Sequence, residues 1–178
     1  MKIRGNSRLS PEFALLGYLY LSPGYGYELH QRLVQQFGSI WRTSQSQTYN
    51  ILKRLELQGY LKSTTIEQEK LPSRQLLHIT STGKERFEAW LQRPTNPSVH
   101  AIRVEFITRL HFIRLIHPEQ VVEIIMGQRE TIQTRIEMLR RDLEGTASHD
   151  VNNRFAVELR IKLLTSVLEW LEDCFSSS

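Results

Sequence analysis

Apolar and polar residues recur along the chain in patterns that predict mostly helices. Ser10-Pro11 favours a helix start, with the serine at the cap and the proline at the first helical position. Ser22-Pro23-Gly24 ends this first helix, and helical spacing predicts a second one from about Tyr27 to Phe37. The Gly-Tyr-Gly run at 24–26 is too short for a phosphate-binding loop and predicts a tight turn between the helices.

A third helix is predicted after Ser44, and its two sides differ in chemistry. Leu52 and Leu55 are spaced to face a core, and Ser44 or Ser46 is suited to cap the helix start. Gly59 favours a helix end, because glycine accepts a left-handed cap without steric cost. The remaining side chains recur at helical spacing on another face or beside it: Ser46, Gln47, Asn50, Lys53, Arg54 and Leu57.

A hairpin with basic side chains is predicted directly after this helix. Tyr60-Leu61 starts a strand, the polar run Gln68–Ser73 with its proline predicts the tip, and Gln75–Thr80 predicts the returning strand. A helix followed by a basic hairpin is the outline of a winged helix-turn-helix. Its exposed amides and cations are groups that recognise base edges and phosphates in a DNA groove. A fourth helix is predicted from Thr80 to Arg93.

Pro94-Thr95-Asn96-Pro97 is the clearest boundary, because two prolines in four residues exclude a regular helix. We therefore divide the chain into a front domain at 1–93 and a helical domain at 94–178. In the second domain, an apolar stripe follows a helix of about 26 residues that begins at Pro118 and ends at Gly145. The last helix starts near Asn152 and alternates steps of four and three, a pattern typical of helix pairing, at Val157, Ile161, Leu164, Leu168, Leu171 and Phe175.

Further apolar residues lie off these stripes and widen the apolar surface: Ile124, Met126, Met138, Leu159, Leu163, Val167 and Trp170. We therefore expect a homodimer that forms through the second domain, with the residues of the last-helix seam as its contacts. The alternative is a self-contained helical hairpin within one chain. Symmetric helix-turn-helix dimers bind half-sites about one DNA turn apart, so a dimer predicts an inverted-repeat operator.

Charge is distributed unevenly along the chain. Residues 1–93 carry 13 Lys and Arg against 7 Asp and Glu, a balance of +6, whereas residues 94–178 carry 10 against 12, a balance of −2. This difference indicates that the front domain alone meets a polyanion. The single cysteine, the absence of a secretory signal and the lack of an apolar run near the roughly 18 residues of a membrane span predict a cytoplasmic protein.

The chain closely resembles the PadR family of bacterial transcription regulators, in the branch with a virulence-activator type of C-terminal helical region. The resemblance covers about residues 9–93 and rests on LSPEFALLGYLYLSPGYGYELHQRL, TYNILKRLELQGYLKS and LLHITSTGKERFEAWL. It implies a winged-helix DNA-binding domain, a C-terminal helical dimerisation domain and transcriptional repression or, less often, activation. The fold class is therefore mainly α with a small β-hairpin wing.

The resemblance also implies that the third helix enters the major groove and that the wing contacts the DNA backbone or minor groove. Family members often have proline after the tyrosine of this helix, where the present chain has Asn50, a side chain able to bond adenine bidentately. Tyr49 suits a core position or a phosphate contact equally well. The predicted DNA-binding residues are Tyr27, Thr43, Ser44, Gln45, Ser46, Gln47, Tyr49, Asn50, Lys53, Arg54, Lys62, Lys70 and Arg74.

Other functions receive less support from the sequence. It contains no nucleophile elbow, no His-Glu-x-x-His and no dinucleotide fingerprint, and its six histidines do not have metal-ligand spacing, so we expect neither an enzyme nor a metal or cofactor. Trp41, Trp90 and Trp170 are candidates for a small aromatic-ligand pocket, although core positions are the simpler interpretation. The alternative functions are a ligand-responsive sensor and a protein-interaction adaptor without DNA binding.

Overall fold

The computed structural model describes residues 9–68, 71–145 and 150–176. Most of these residues are helical, and a small three-stranded antiparallel sheet accompanies the helices. This composition confirms the predicted mainly α fold with a β-hairpin wing. The contacts of the chain separate into two compact units, Met1–Arg93 and Pro94–Ser178.

The first unit is built from four helices and three strands in the described residues. They are α1 (Glu12–Leu21), β1 (Gly24–Tyr25), α2 (Gly26–Phe37), α3 (Gln45–Leu57), β2 (Leu61–Gln68), β3 (Leu71–Ile79) and α4 (Ser81–Gln92). Helix α1 begins one residue later than the sequence predicted. Pro11 stands at the cap position rather than inside the helix, and its carbonyl oxygen accepts a hydrogen bond from the Leu15 N–H (3.2 Å).

Strand β1 corrects the sequence interpretation of the Gly-Tyr-Gly run as only a turn. Gly24 and Tyr25 pair antiparallel with Leu77 and Leu76 of β3, so the strand order is β1-β3-β2. Two residues are too few to give a strand signal of their own. They form a strand because their main-chain groups pair with the edge of β3, which lies about 50 residues later in the chain.

Strands β2 and β3 form the predicted hairpin, but they extend closer to its tip than the polar sequence indicated. Ile66 pairs with Arg74 and Gln68 with Leu71, with an irregularity between Ile66 and Gln68. Main-chain groups make these pairs, so polar side chains on an exposed ribbon do not prevent the ladder from continuing. Residues 69 and 70 lie outside the described residues, and Lys70 is one of them.

The core of the first unit collects apolar side chains from all four helices. Its members include Leu15, Leu16, Leu29, Leu33, Leu52, Leu55, Phe87 and Leu91. Burying one such side chain stabilises the fold by roughly 1.5–3 kcal/mol. This shared core holds α3 against α1 and α2 and leaves the other side of α3 towards solvent.

Two glycines are required by the backbone around this core. Gly59 follows α3 with a φ of +77°, which confirms the predicted left-handed cap. Gly83 lies in the first turn of α4, where a Cβ atom would come within 2.2 Å of the Tyr60 carbonyl oxygen. A side chain at residue 83 would therefore push α4 away from the end of α3. Thr80 caps α4, since its Oγ1 accepts a hydrogen bond from the Gly83 N–H (3.1 Å).

The second unit is helical throughout its described residues apart from short connections. Its elements are α5 (Val99–Ala101), a π-helical segment (Ile102–Phe106), α6 (Ile107–Ile116), a 3-10 turn (Pro118–Gln120), α7 (Val121–Glu144) and α8 (Val151–Ser176). The predicted stripe of α7 is buried at Val121, Ile125, Ile132, Ile136 and Leu139. Helix α8 packs along α7, and Arg129 Nη2 donates to Glu172 Oε1 (2.6 Å) between them.

The connector after residue 93 is tied into this unit by buried polar groups. The Thr95 N–H donates to Gln128 Oε1 (2.9 Å), and Gln128 Nε2 donates to the Thr95 carbonyl oxygen (3.0 Å). The Thr95 hydroxyl oxygen accepts a hydrogen bond from Arg109 Nη1 (2.7 Å), and Arg109 Nη2 contacts Glu105 Oε1 (2.9 Å). Thr95, Arg109 and Gln128 are each 1% exposed. The predicted extended connector is therefore anchored at its second residue.

The four-and-three seam of α8 is partly buried within the second unit. Leu164 and Leu171 are buried, and Val157, Ile161 and Leu168 are half-buried. The side chain of Phe175 lies outside the described residues. Partial burial within one chain is what the helical-hairpin alternative expects, and the assignment of the seam residues to a dimer contact stays a prediction.

Candidate nucleic-acid interface

A capping box organises the start of α3. The Ser44 N–H donates to Oε1 of Gln47 (2.9 Å), and the Gln47 N–H donates to Oγ of Ser44 (3.2 Å). Each bond satisfies a backbone donor that a helix start leaves without an intrahelical partner. Ser44 is therefore the cap, whereas Ser46 lies within the helix.

The inner side of α3 is fixed by packing and by one buried hydroxyl. Leu52 and Leu55 enter the core, as their spacing predicted. Thr48 is fully buried, and its Oγ1 donates to the Ser44 carbonyl oxygen (3.2 Å) and lies 3.0 Å from Nδ1 of His30 on α2. These contacts orient the helix about its axis, so its outer side has a defined direction.

The outer side of α3 carries the predicted recognition residues, and all of them are exposed: Gln45, Ser46, Gln47, Asn50, Lys53 and Arg54. At 3.6 residues per turn, Ser46, Asn50 and Lys53 share one side of the helix. They bring a hydroxyl, an amide and a cation to one surface. This combination of donors, acceptors and positive charge suits both base edges and phosphates.

The Gln47 side chain is exposed, but one of its polar atoms is already hydrogen-bonded. Its Oε1 is engaged by the Ser44 N–H, so the amide nitrogen is the polar atom that remains for a partner. A side chain that caps its own helix and also meets a ligand is held in one orientation before binding. Thr43, just before the cap, is half-buried.

Arg54 lies in an arrangement that the sequence pattern did not reveal. Its Nη2 contacts Oε2 of Glu12 on α1 (2.7 Å), and Arg86 of α4 contacts the other oxygen of the same carboxylate (2.5 Å). The Arg86 guanidinium also lies over the rings of Tyr60 (4.5 Å) and Phe13 (5.0 Å). Glu12 thus joins α3, α1 and α4, and it neutralises part of the charge that Arg54 brings to α3.

Tyr49 is on the surface rather than in the core. It is 46% exposed, and its ring lies against Gly26 at the start of α2. The exposed position excludes the core interpretation of this residue. Its hydroxyl group is therefore accessible to a ligand beside α3.

The wing contributes two further predicted residues that the structure describes. Lys62 is exposed on β2 and pairs in register with His78 of β3. Arg74 is exposed on β3, and its guanidinium carbon lies 5.9 Å from the ring centre of Tyr25 and 5.8 Å from that of Tyr27. The two tyrosine rings are themselves stacked, 6.1 Å apart and 17° from parallel.

Glu28 supports this aromatic pair. The Tyr27 hydroxyl donates to Oε1 of Glu28 (3.0 Å), and the Tyr25 N–H donates to Oε2 (3.4 Å). The hydrogen bond to the Glu28 carboxylate raises the pKa of the Tyr27 hydroxyl above its ordinary value. Tyr27 and Arg74 were predicted from the sequence as site residues, whereas Tyr25 and Glu28 were not. Glutamate three residues after a helix cap was the available signal, but tyrosine is not a usual cap residue.

The three tryptophans of the proposed ligand pocket belong to different units. Trp41 and Trp90 are in the first unit and Trp170 is in the second. Trp90 is buried and stacks on Phe13 with ring centres 4.6 Å apart, so it is a core residue. Trp170 lies edge-on to Phe106 of its own unit, with the two ring centres 6.4 Å apart.

Metal and membrane features receive no support from the described residues. Among residues 9–68, 71–145 and 150–176, no three His, Cys, Asp or Glu side chains are grouped to hold a metal ion. In that part of the chain, no helix has both the length and the apolar composition of a bilayer span.

Comparison with known proteins identifies the first unit. Residues 15–89 match the family model described as the transcriptional regulator PadR-like family. The negative transcriptional regulator PadR of Bacillus subtilis (strain 168) is 26% identical over 136 residues, which cover 76% of this chain and 71% of the relative. The probable transcriptional regulator Rv1176c of Mycobacterium tuberculosis is 27% identical over 85 residues, 48% of this chain and 45% of that protein.

Solved structures were compared as well. The crystal structure of Bacillus subtilis PadR in complex with operator DNA aligns with a TM-score of 0.47 and 21% identity, over 93% of this chain and 97% of that one. The family match and the two sequence relatives all concern regulators of transcription. We conclude that residues 15–89 form a domain of the transcriptional regulator PadR-like family.

Proposed function

We propose that this chain is a homodimeric repressor that binds an inverted-repeat DNA site. In this proposal, residues 1–93 bind DNA, α3 enters the major groove and the wing meets the backbone. The observation that supports this proposal most is the outer side of α3, which is exposed and polar. The buried side of the helix packs in the core and so fixes the direction of the outer side. A helix of this kind is the element that helix-turn-helix proteins insert into the major groove.

Base recognition is assigned to the middle of that surface. Asn50 and Gln45 carry amides that are able to donate and accept together, as a bidentate contact with adenine requires. Gln47 contributes the amide nitrogen that its capping bond leaves available. Ser46 lies beside Asn50 on the same side of the helix. Sequence preference therefore rests on the amide and hydroxyl side chains of α3.

Phosphate contacts are assigned to the cations and to the start of α3. Lys53, Lys62 and Arg74 are exposed positive charges, and the first backbone N–H groups of α3 favour an anion. The exposed hydroxyl-bearing rings of Tyr27 and Tyr49 extend the same surface. Lys70 stays in the proposal from its place in the sequence, although it lies outside the described residues. We assign Arg54 to holding α3, because Glu12 already engages it.

Dimerisation is assigned to the side of α8 that faces away from α7. Four large apolar side chains follow one another every four residues there, with exposed fractions of 48%, 64%, 57% and 43%: Val151, Phe155, Leu159 and Leu163. An exposed apolar line of this length favours a protein partner over water. The buried seam residues are half a helical turn away, so both sides of α8 are used at once. A two-fold dimer would present two copies of α3 to two half-sites.

Repression is the sign of regulation that we propose. The Bacillus subtilis relative, whose alignment covers 76% of this chain, is named as a negative transcriptional regulator. A dimer seated on an operator blocks access to the DNA that it covers, and no ligand is needed for that effect.

The direct test is binding of the purified chain to DNA from upstream of its own gene. We expect tight binding that weakens steeply as salt rises, because each neutralised phosphate releases counterions. An unrelated duplex of equal length and composition is the control, and it should bind much more weakly at the higher of two salt concentrations. Equal binding to both duplexes would contradict a specific operator at that location. No binding to either duplex at low salt would overturn the proposal.

A further inference from the structure

We infer that Tyr25 and Tyr27 form an aromatic platform that positions the Arg74 guanidinium for a DNA phosphate, with Glu28 as its support. This inference rests on the proposed function and adds two positioning residues, Tyr25 and Glu28, to it. Neither of the two is assigned a contact with DNA. Both are assigned an effect on the side chain that makes the contact.

The platform is built from two segments that the sheet brings together. Tyr25 pairs with Leu76 of β3, which places its ring near Arg74 two residues earlier on the same strand. Tyr27 follows in the first turn of α2, and its ring stacks on that of Tyr25. The guanidinium carbon of Arg74 lies within 6 Å of both ring centres, the range of a cation–π contact.

The manner in which Arg74 is held preserves its charge. Arg54 and Arg86 are held by the Glu12 carboxylate, which offsets their charge. Among the described residues, no carboxylate forms an ion pair with Arg74, and aromatic rings orient a guanidinium without neutralising it. Within this part of the chain, Arg74 is therefore oriented by aromatic rings and not by an ion pair.

Glu28 holds the two tyrosines in place through hydrogen bonds. Its two oxygens accept hydrogen bonds from the Tyr27 hydroxyl and the Tyr25 N–H, so one carboxylate ties the ring of one tyrosine to the backbone of the other. A bound phosphate would then replace water around Arg74 without reordering the side chain. Less conformational freedom is lost on binding when a side chain is already oriented.

The test is a double-mutant cycle on the full chain with a fluorescently labelled, mixed-sequence DNA duplex. Arg74→Ala should weaken binding and lower the slope of log K against log salt by about one. Tyr25→Leu should weaken binding by about two- to fivefold in the wild-type background, as expected for an exposed cation–π contact. It should have no further effect when Arg74→Ala is already present. Tyr25→Phe keeps the ring and should bind like the wild type.

A second measurement needs no DNA. The ring currents of the two tyrosines should shift the Arg74 Nε–H resonance in an NMR spectrum, and Tyr25→Leu should remove the part of that shift that comes from the Tyr25 ring. Arg74→Ala identifies the resonance. If the chemical shift of the Arg74 resonance is the same in Tyr25→Leu as in the wild type, the platform is wrong, whatever the DNA-binding measurements show.

The two measurements separate the inference from the proposed function. If the wild-type chain binds the duplex and Tyr25→Leu weakens binding equally with and without Arg74, the positioning role is wrong while DNA binding stands. If the wild-type chain binds no duplex at low salt, the proposed function fails and the phosphate role of the platform fails with it. The NMR shift then still reports whether the platform itself exists.

Discussion

Helices α3 and α8 each bury one side within their own unit, and their exposed sides have opposite chemistry. The exposed side of α3 carries Ser46, Asn50 and Lys53, whereas the exposed side of α8 carries Phe155 and Leu159. A polar exposed side gains from a charged, hydrogen-bonding partner, and an apolar one gains from removal from water. This difference supports our proposal that α3 binds DNA and that α8 binds a second copy of the chain.

The polar networks of the two units differ in their exposure to solvent. The Glu12 carboxylate holds Arg54 and Arg86 near the surface, where the Arg54 side chain is 48% exposed. The Thr95, Gln128 and Arg109 network is almost fully buried. Surface ion pairs contribute little to stability, whereas a buried group that loses its partner is strongly destabilising.

The largest effect should come from Gln128→Leu in the buried network. This change leaves the Thr95 N–H and carbonyl groups without their partner, and we expect a loss of about 2–4 kcal/mol in the free energy of unfolding. Urea denaturation followed by circular dichroism measures it. Gln133→Leu, at an exposed position of the same helix, should change stability by no more than about 0.5 kcal/mol. Equal effects at the two positions would show that the Thr95 anchor does not contribute to the fold.

Next in size is Leu159→Glu on the exposed side of α8. A charge in the centre of an apolar interface should weaken the dimer by about 2–4 kcal/mol while each chain stays folded. Sedimentation over a range of concentrations gives the association constant. Arg160→Ala, the neighbouring residue off the apolar line, is the matched control. If Leu159→Glu leaves the oligomeric state unchanged, the apolar line of α8 is not the interface.

A smaller and more specific effect is expected on the exposed side of α3. Asn50→Ala should reduce discrimination at one base pair by about 1–3 kcal/mol. Lys53→Ala should instead weaken binding to all sequences alike and lower the salt slope by about one. Binding to a set of single-base operator variants measures both. The opposite result, with Lys53→Ala changing base preference, would refute this division of roles.

The smallest effect is expected for Glu12→Gln, which removes the charge shared by two arginines near the surface. We expect a loss of about 1 kcal/mol in stability, because the ion pair with Arg54 is largely exposed whereas the one with Arg86 is partly buried. Nonspecific DNA affinity should rise slightly, since Arg54 loses the carboxylate that offsets its charge. Glu85→Gln, an exposed carboxylate on α4, removes the same charge elsewhere. A larger gain in affinity for Glu85→Gln than for Glu12→Gln would contradict the assigned role of Glu12.

Much of the candidate site was predictable because its signals are local. The exposed side of α3 followed from helical spacing, and the cap at Ser44 and the stop at Gly59 are chemical requirements of the backbone. The ion pair of Arg54 was not predictable, because Glu12 lies 42 residues earlier and any exposed carboxylate was an equal candidate. The platform around Arg74 was missed for the same reason, since the sheet register creates it.

By itself, the sequence determined which side of each helix is apolar and where most helices end, since these properties depend on residues a few positions apart. Only the tertiary structure decided what covers each side. It gave Gly24 and Tyr25 a strand partner in β3, and it buried Leu164 and Leu171 within the second unit. An apolar stripe specifies that it must be buried but not against which surface, because the hydrophobic effect has no direction.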